Sequence, residues 1–401
     1  MEEGNYKILP VDKSIPCDAL KGIRVVEMGT QVAAPVCARM LADYGAEVIK
    51  VERPEGDSWR ITGSMFLEVG ATEDANPMFD VFNSGKKSVV LDLKKPEDKE
   101  TLLKLLETAD VFVTNTRMKA LKKLGIDPET VRQRIPGLIF ALITGYGIDG
   151  PEKDEPGFDS VSFFSRSGIA RDITYAENPL PMATMCAMGD EVCGMSLLSG
   201  ILAALVKKAR TGEGDFVTVS LLGSGIWNVS NPILVAQPKY GVKYPISNYY
   251  DCAYGHGYEC ADGEWIRIGV MDYDRYVPRL FEVLGIPEMI NDPRFKDDPS
   301  ARRNMADMVK LFEERFRTRT SDEWLELIKG IDVVCSRLVH FRDVGEDRQA
   351  WINGNLEEFT LGNGDTCMMP CPPVRFGSTG TIKTRLGPRL GEHTEEILNS
   401  L

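Results

Sequence analysis

RVVEMG (Arg24–Gly29), PVCARMLADYG (Pro35–Gly45) and AEVIKVE (Ala46–Glu52) decide the fold. A short run rich in Val, a stretch with helical spacing and a second apolar run spell β-α-β. The pattern continues outward through SVVLDL (Ser88–Leu93), a helix from about Pro96 to Thr108, DVFVT (Asp110–Thr114), a short helix near Ala120, another after Pro128, and GLIFALITGYG (Gly137–Gly147). Short runs rich in Val and Ile of this kind read as buried strands. Alternating with helices, they predict an α/β fold with a doubly wound, Rossmann-like parallel sheet. A helix over Asp190–Arg210, the turn TGEGD and FVTVSLL (Phe216–Leu222) as last strand complete this region.

Beyond it the character changes. Residues 228–250 are rich in Pro, Asn and Tyr with weak periodicity, as in a long surface connection. YECADGEWIRIGV (Tyr258–Val270) reads as a hairpin about Asp262 and Gly263, followed by helices at Asp274–Leu284, Asn304–Phe316 and Ser321–Lys329. The expected organisation is a large α/β domain over 1–227, a small α+β domain with its linkers over 228–331, and a segment over 332–401 that returns to the large domain. Chain length supports this, since 401 residues exceed one simple core and 43% hydrophobic residues supply two.

A net charge of −13 and the lack of a long Lys/Arg run argue against a nucleic-acid partner. The opening MEEGNYKILPVDK has no basic region followed by an apolar stretch, so a cytoplasmic protein is expected. The apolar run Met195–Val206 falls well short of the roughly 20 residues of a membrane span and is expected as a core helix. Nine scattered cysteines suggest reduced thiols. Cys367 and Cys371 lack the partners that would complete a metal site, so no metal and no tightly bound cofactor is expected.

Several chemistries need residues that are missing. There is no GxxxxGK[ST] phosphate loop, no HExxH helix and no GxSxG elbow. Even the first βα turn, MGTQVAAP (Met28–Pro35), lacks the GxGxxG fingerprint, so the fold alone gives no support for a nicotinamide cofactor.

LKGIRVVEMGTQVAAPVCARMLADYGAEVIKVERPEGDSWR (Leu20–Arg60) resembles the opening of class III CoA-transferases, with its GA-x-VIK-x-E and following Gly-Asp. NSGKKSVVLDLKKPEDKE, TNTRMKALKKLG, ITGYGIDGP, PGFDSV and AMGDEVCGM running into TGEGDFVTVSLL follow in the same order. Within this family, which includes formyl-CoA and carnitine CoA-transferases, TNTRMKAL and GYGIDGPEKDEPGFDSVSFFSRSG look closest to bacterial 2-hydroxyacyl-CoA transferases of the phenyllactate and 2-hydroxyisocaproate kind. The resemblance implies transfer of CoA from an acyl-CoA to a carboxylic acid in amino-acid fermentation, with CoA as substrate. It also implies an interlocked homodimer.

Asp159 matches the family's nucleophile, which forms an aspartyl anhydride and then an aspartyl-CoA thioester. Taken without the resemblance, an Asp after a loop and before SVSFFS is a helix N-cap. For CoA, the positions matching family contacts are Gln31, Val32, Ala33, Arg53, Asn83, Lys86, Lys87, Asn115, Lys123 and Met195, with Arg117 a further candidate. Arg and Lys would pair with phosphates and Asn with the pantetheine amides, although ordinary surface lysines are the alternative for Lys86 and Lys123. Two features depart from the formyl type. AYGHGYECADG (Ala253–Gly263) stands where a glycine-run loop is expected, and Val32 stands where that type has Gln, with Gln31 before it, which disfavours formyl and oxalyl substrates.

A racemase acting α to the thioester shares the fold but needs an acid and a base, and its histidine directly precedes the matched aspartate. Here that position is Phe158, and His256, His340 and His393 lie far away in sequence. Phe158, Phe163 and Phe164 suit either an apolar acyl pocket or plain core packing. A CoA-binding paralogue without turnover would require loss of the nucleophile, and Asp159 is present.

Overall fold

The computed structural model describes residues 16–62, 65, 70–178, 180–247 and 252–401. Six strands, β1 (Arg24–Met28), β2 (Glu47–Glu52), β3 (Lys87–Val90), β4 (Val111–Thr114), β5 (Ile139–Thr144) and β6 (Phe216–Ser220), form one sheet in the order β3-β2-β1-β4-β5-β6. Every neighbouring pair is parallel. Val25, Val26, Val111, Phe112 and Phe140 are fully buried, because helices cover both faces. Strand order reverses between β1 and β4, and ligands of such sheets bind at the carboxyl ends beside that reversal.

The helices around this sheet are α1 (Ala33–Asp43), α2 (Trp59–Thr62), α3 (Pro77–Asn83), α4 (Pro96–Glu107), α5 (Met118–Leu124), α6 (Pro128–Arg134), α7 (Ile169–Asp172), α8 (Met188–Thr211), α9 (Leu221–Asn228) and α10 (Ser230–Val235). Proline occupies the first turn of α3, α4 and α6, where its missing N–H costs nothing. By length and composition α8 would cross a membrane. Instead Cys193, Gly194, Leu197, Leu198 and Ile201 are buried, and the helix packs against α1, β5 and β6 as a core helix. A side chain at Gly194 would meet Val36 and the Ala33 carbonyl, so this glycine sets how closely α1 and α8 approach.

FVTVSLL is strand only to Ser220, whose hydroxyl accepts from the Gly223 N–H and caps α9, so Leu221 and Leu222 open a helix instead. The expected surface connection beyond Asn228 likewise begins with a helix, α10.

The chain divides into two compact units. One comprises Met1–Ala170, Ala183–Leu234 and Arg348–Leu401, and the other Arg171–Met182 and Val235–Asp347. The second unit holds a sheet of β7 (Gly257–Glu259), β8 (Trp265–Gly269) and β9 (Val334–Arg337), antiparallel in that order. Its helices are α11 (Tyr273–Val283), α12 (Asp298–Arg303), α13 (Met305–Phe316) and α14 (Ser321–Lys329). Tyr258 stacks on Phe316 at 4.5 Å inside an aromatic core with Phe281, Phe312 and Trp324. Because β9 pairs with β8, this unit runs on to Asp347 rather than ending near residue 331. Arg348–Leu401 carries α15 (Arg348–Ile352), a hairpin of β10 (Leu356–Thr360) and β11 (Thr366–Pro370), and α16 (Thr394–Leu398) within the first unit.

Candidate active site

Two features of the first unit frame the site: the turn after β1 and the amino end of α8. In the turn, Gln31 takes a left-handed backbone, φ 64°, which is uncommon for a residue with a Cβ. Its N–H donates to Asp57 Oδ1 at 3.0 Å and its side-chain amide to Ser58 Oγ at 2.5 Å. Val32 and Ala33 follow as N-cap and first residue of α1, both buried. Asn115, just after β4, accepts from the Thr30 N–H at 3.1 Å and donates to the Thr30 carbonyl at 2.8 Å, tying the two turns across the strand reversal.

Above this edge lies a cavity of about 390 Å³ lined by Thr30, Arg53, Asp57, Lys94, Thr116 and Leu124 among others. Arg53 is exposed there, its Nε bonded to the Gly56 carbonyl at 3.0 Å. Lys94 was missed in the sequence, where LDLKKPEDK offered it only as one of two adjacent lysines. Lys123 is exposed on α5, whose terminal Leu124 lines the cavity.

Three expected CoA contacts lie elsewhere. Lys86 is buried, its Nζ held by Glu27 Oε2 at 2.7 Å, the Pro35 carbonyl at 2.8 Å and Asn83 Oδ1 at 3.0 Å. Burial lowers its pKa to about 8, against the pull of Glu27. Asn83 is wholly buried and also bonds the Phe79 carbonyl. Lys87 opens β3 at the opposite edge of the sheet and pairs with Glu47 at 3.0 Å and Glu396 at 2.6 Å. A cation already enclosed by carboxylates, or on the far edge, is not placed for a phosphate at the carboxyl ends. A cavity of about 640 Å³ does open at that far edge, around Cys17, Asp43 and Arg385, and holds none of the expected site residues.

Asp159 begins a π-helical turn, Asp159–Ser165, in which Phe158 rather than Asp159 holds the N-cap position. The aspartate is therefore not a cap. It is 9% exposed, with Oδ1 accepting from the Ser160 N–H at 2.6 Å and Oδ2 buried without a hydrogen-bond partner. Burial pushes its pKa above the ordinary carboxyl value, while the N–H groups of Ser160, Gly189 and Ala187 pull it down. The last two belong to the amino end of α8, where main-chain donors and the helix dipole favour negative charge. Gly189 permits the approach: a Cβ there would lie 2.8 Å from Asp159 Cβ and 2.7 Å from Phe163 Cγ.

The first turn of α8 also carries Asp190 and Glu191. Burial, then the charges of Asp159 and Glu191, push Asp190 up to about 7. Cys186 is raised by burial and by the same three carboxylates. Phe163 and Phe164 are fully buried and edge-to-face at 5.1 Å, so they are core, while Phe158 is 64% exposed. Beside Cys186 and Ala187 a second cavity, about 450 Å³, is lined by Val36, Met78, Phe82, Met195 and Met368. Val32, Trp59, Phe82 and Ala187 share one apolar cluster, which joins the β1 turn to the amino end of α8. His393, in the same unit, sits at the start of α16 with Nδ1 accepting from the Ser88 N–H at 3.3 Å. Among the described residues no group of three or more His, Cys, Asp or Glu is placed to hold a metal.

Fold and site together define a doubly wound α/β protein with a buried carboxylate beside a helix amino end. The profile of CoA-transferase family III matches residues 20–394. The (R)-2-hydroxy-4-methylpentanoate CoA-transferase of Clostridioides difficile is 39% identical, covering 95% of each chain. The cinnamoyl-CoA:phenyllactate CoA-transferase of Clostridium sporogenes is 35% identical over 95% of this chain and 92% of its own. Among solved structures, Rv3272 from Mycobacterium tuberculosis superposes with a TM-score of 0.82 at 28% identity, covering 96% of this chain and all of that one, 100%. The chain belongs to CoA-transferase family III, and it is a CoA-transferase acting on CoA thioesters.

Proposed function

We propose that this enzyme moves CoA from an enoyl- or saturated acyl-CoA to a 2-hydroxy acid with a branched aliphatic or aromatic side chain, with Asp159 as nucleophile. The observation that carries the reading is Asp159 Oδ2, buried without a partner beside the amino end of α8. Such a carboxylate is poorly solvated and correspondingly nucleophilic. Asp159 attacks the thioester carbonyl carbon, the C–S bond breaks, and CoA leaves as thiolate. The thiolate then attacks the aspartyl carbonyl of the resulting mixed anhydride, releasing the donor acid and forming aspartyl-CoA. The acceptor carboxylate displaces CoA from that thioester to give a second anhydride. CoA thiolate attacks its acyl carbonyl and restores the Asp159 carboxylate. No net proton is needed, and in this reading main-chain N–H groups at the amino end of α8 would stabilise the oxyanion formed at each step.

The cavity beside Ala187 supports this substrate class. Its methionines and Phe82 offer apolar walls that adapt to a branched or planar chain, in keeping with the two 2-hydroxy acids in the names of the clostridial relatives. Arg53 and Lys94, which line the other cavity, would in this reading pair with the phosphates of CoA. The racemase reading has no support at Phe158, and His393 is spent on β3. Exposed Ile226, Trp227, Ile233 and Leu234 are the apolar surface we assign to a homodimer, to be checked by light scattering.

Peptide mass spectrometry after incubation with cinnamoyl-CoA or isocaprenoyl-CoA and hydroxylamine tests the mechanism. A hydroxamate on the peptide containing Asp159, absent from Asp159→Ala, is expected. CoA transfer to 2-hydroxyisocaproate or phenyllactate with no such adduct would overturn the covalent route.

A further inference from the structure

We infer that Asp57 is a positioning residue for the acyl-CoA, locking the left-handed Gln31 turn from beneath through a buried chain of charges. This rests on the reading above that the turn Gln31–Ala33 receives CoA. The chain runs Asp57, Lys50, Glu27, Lys86. Lys50 Nζ lies 2.9 Å from Asp57 Oδ2 and 2.8 Å from Glu27 Oε1, and Glu27 Oε2 lies 2.7 Å from Lys86 Nζ. All four side chains are buried.

Each of three members also grips the main chain of the turn. Lys50 donates to the Gly29 carbonyl at 3.0 Å, Asp57 accepts from the Gln31 N–H at 3.0 Å, and Lys86 donates to the Pro35 carbonyl at 2.8 Å. Asp57 Oδ1 accepts in addition from the Trp59 N–H at 2.9 Å, and its own N–H is held by Glu52 Oε2 at 2.9 Å. The aspartate is thus fixed on both sides before it touches the turn.

Such a lock answers a specific need. In the GxGxxG version of this turn, glycines supply the unusual backbone and the close approach to the ligand. Here Gln31 must hold φ 64° against the clash of its own Cβ. Buried ion pairs are a poor way to gain stability, since apolar groups of the same shape often serve as well. A chain of four charges contacting one turn at three points is an arrangement that fixes geometry. It also explains the Gly-Asp that follows β2: Gly56, at φ 78°, turns the chain so that Asp57 points back under the β1 turn.

The test compares wild type, Asp57→Ala and the double variant Lys50→Met/Asp57→Ala, which removes the acceptor without stranding a lysine. Steady-state kinetics with acyl-CoA and acid varied separately are paired with calorimetric binding of CoA. A tenfold or greater rise in KM for acyl-CoA and in Kd for CoA is expected in both variants, with kcat and KM for the acid within about threefold of wild type. The melting temperature should fall in the single variant and recover in the double. A structural role alone would let the CoA constants recover with it, and that result overturns the inference, as does wild-type CoA affinity in Asp57→Ala. Wild type that binds CoA but transfers it to no acid would sink the functional reading instead and leave the binding comparison to decide this one.

Discussion

Asp57 and Asp159 are both buried aspartates of the same unit, 2% and 9% exposed, and their surroundings give them opposite characters. Asp57 has an ammonium 2.9 Å away and two N–H donors on its other oxygen. Asp159 has one close N–H donor, a second oxygen with none, and no ion pair among the described residues. A paired buried charge is scaffolding. An unpaired one is costly to keep, and the cost is tolerated where the charge must react.

The largest effect expected from breaking this contrast is on Asp159. Asp159→Asn should lower the transfer rate by at least about 10³-fold, because the nucleophile is gone. Its melting temperature should stay level or rise, since a poorly solvated carboxylate has been neutralised. Initial rates beside a melting curve check both, and residual activity within tenfold of wild type would remove Asp159 from the mechanism.

Lys50→Met addresses the paired aspartate. It leaves Asp57 without its cation and Glu27 with Lys86 alone, which should cost about 3–5 kcal/mol, the usual penalty for stranding a buried partner. Burial works against the charge of Lys50, but Asp57 and Glu27 outweigh it and hold its pKa above the ordinary lysine value. The loss should therefore be visible as a lower urea midpoint throughout the neutral range. Little change would mean that the charge chain carries no stability and that the turn is held otherwise.

Gly189→Ala comes next. The new methyl would fall 2.7 Å from Phe163 Cγ and 2.8 Å from Asp159 Cβ, inside contact distance of a packed core. Overpacking of this kind costs about 1–3 kcal/mol and should push the Asp159 turn away from α8. A fall in kcat larger than the fall in stability would show that the spacing serves the chemistry. An equal melting point and rate would show that the site absorbs the methyl.

The parallel sheet was legible because its strands are short runs rich in Val and Ile that alternate with helical stretches. Asp159 was legible as a residue but misread in its local structure, since the segment that places it is a π-turn and no spacing rule in DSVSFFS announces one. The lysines of NSGKK were read as phosphate contacts because sequence shows charge without direction. Only the fold reveals that Lys86 points inward to Glu27 and that Lys87 lies on the far edge. For the same reason Asp57 passed as part of a motif: its partners Lys50 and Gln31 meet it only once β1 and β2 lie side by side. Phe163 and Phe164 could not be told from a pocket lining until the turn's buried side was known.

The smallest effect separates Asp190 from both aspartates above. Its pKa rises from the ordinary 3.8 to about 7, through burial first and then the charges of Asp159 and Glu191. Cys186 and Cys193 are further titratable neighbours, and Arg39 lies on the α1 side, near Glu191. In the window between those two values the folded protein holds a proton that the unfolded chain releases. Stability attributable to this group therefore falls as pH rises from about 4 through 7, and stays reduced above. Asp190→Asn should remove that penalty, raising stability at pH 8 by about 1–2 kcal/mol. Some of the gain is offset because a carboxylate in the first turn of α8 interacts favourably with the helix dipole, by about 0.3–1 kcal/mol. The two proteins should converge towards pH 4, where Asp190 is protonated in both folded and unfolded wild type. Melting curves at pH 5 and 8 distinguish the cases. A gain that shrinks towards the acidic side places Asp190 as a neutral acid beside an ionised Asp159 near neutrality, whereas an equal gain at both pH values means that packing, not charge, separates the two side chains.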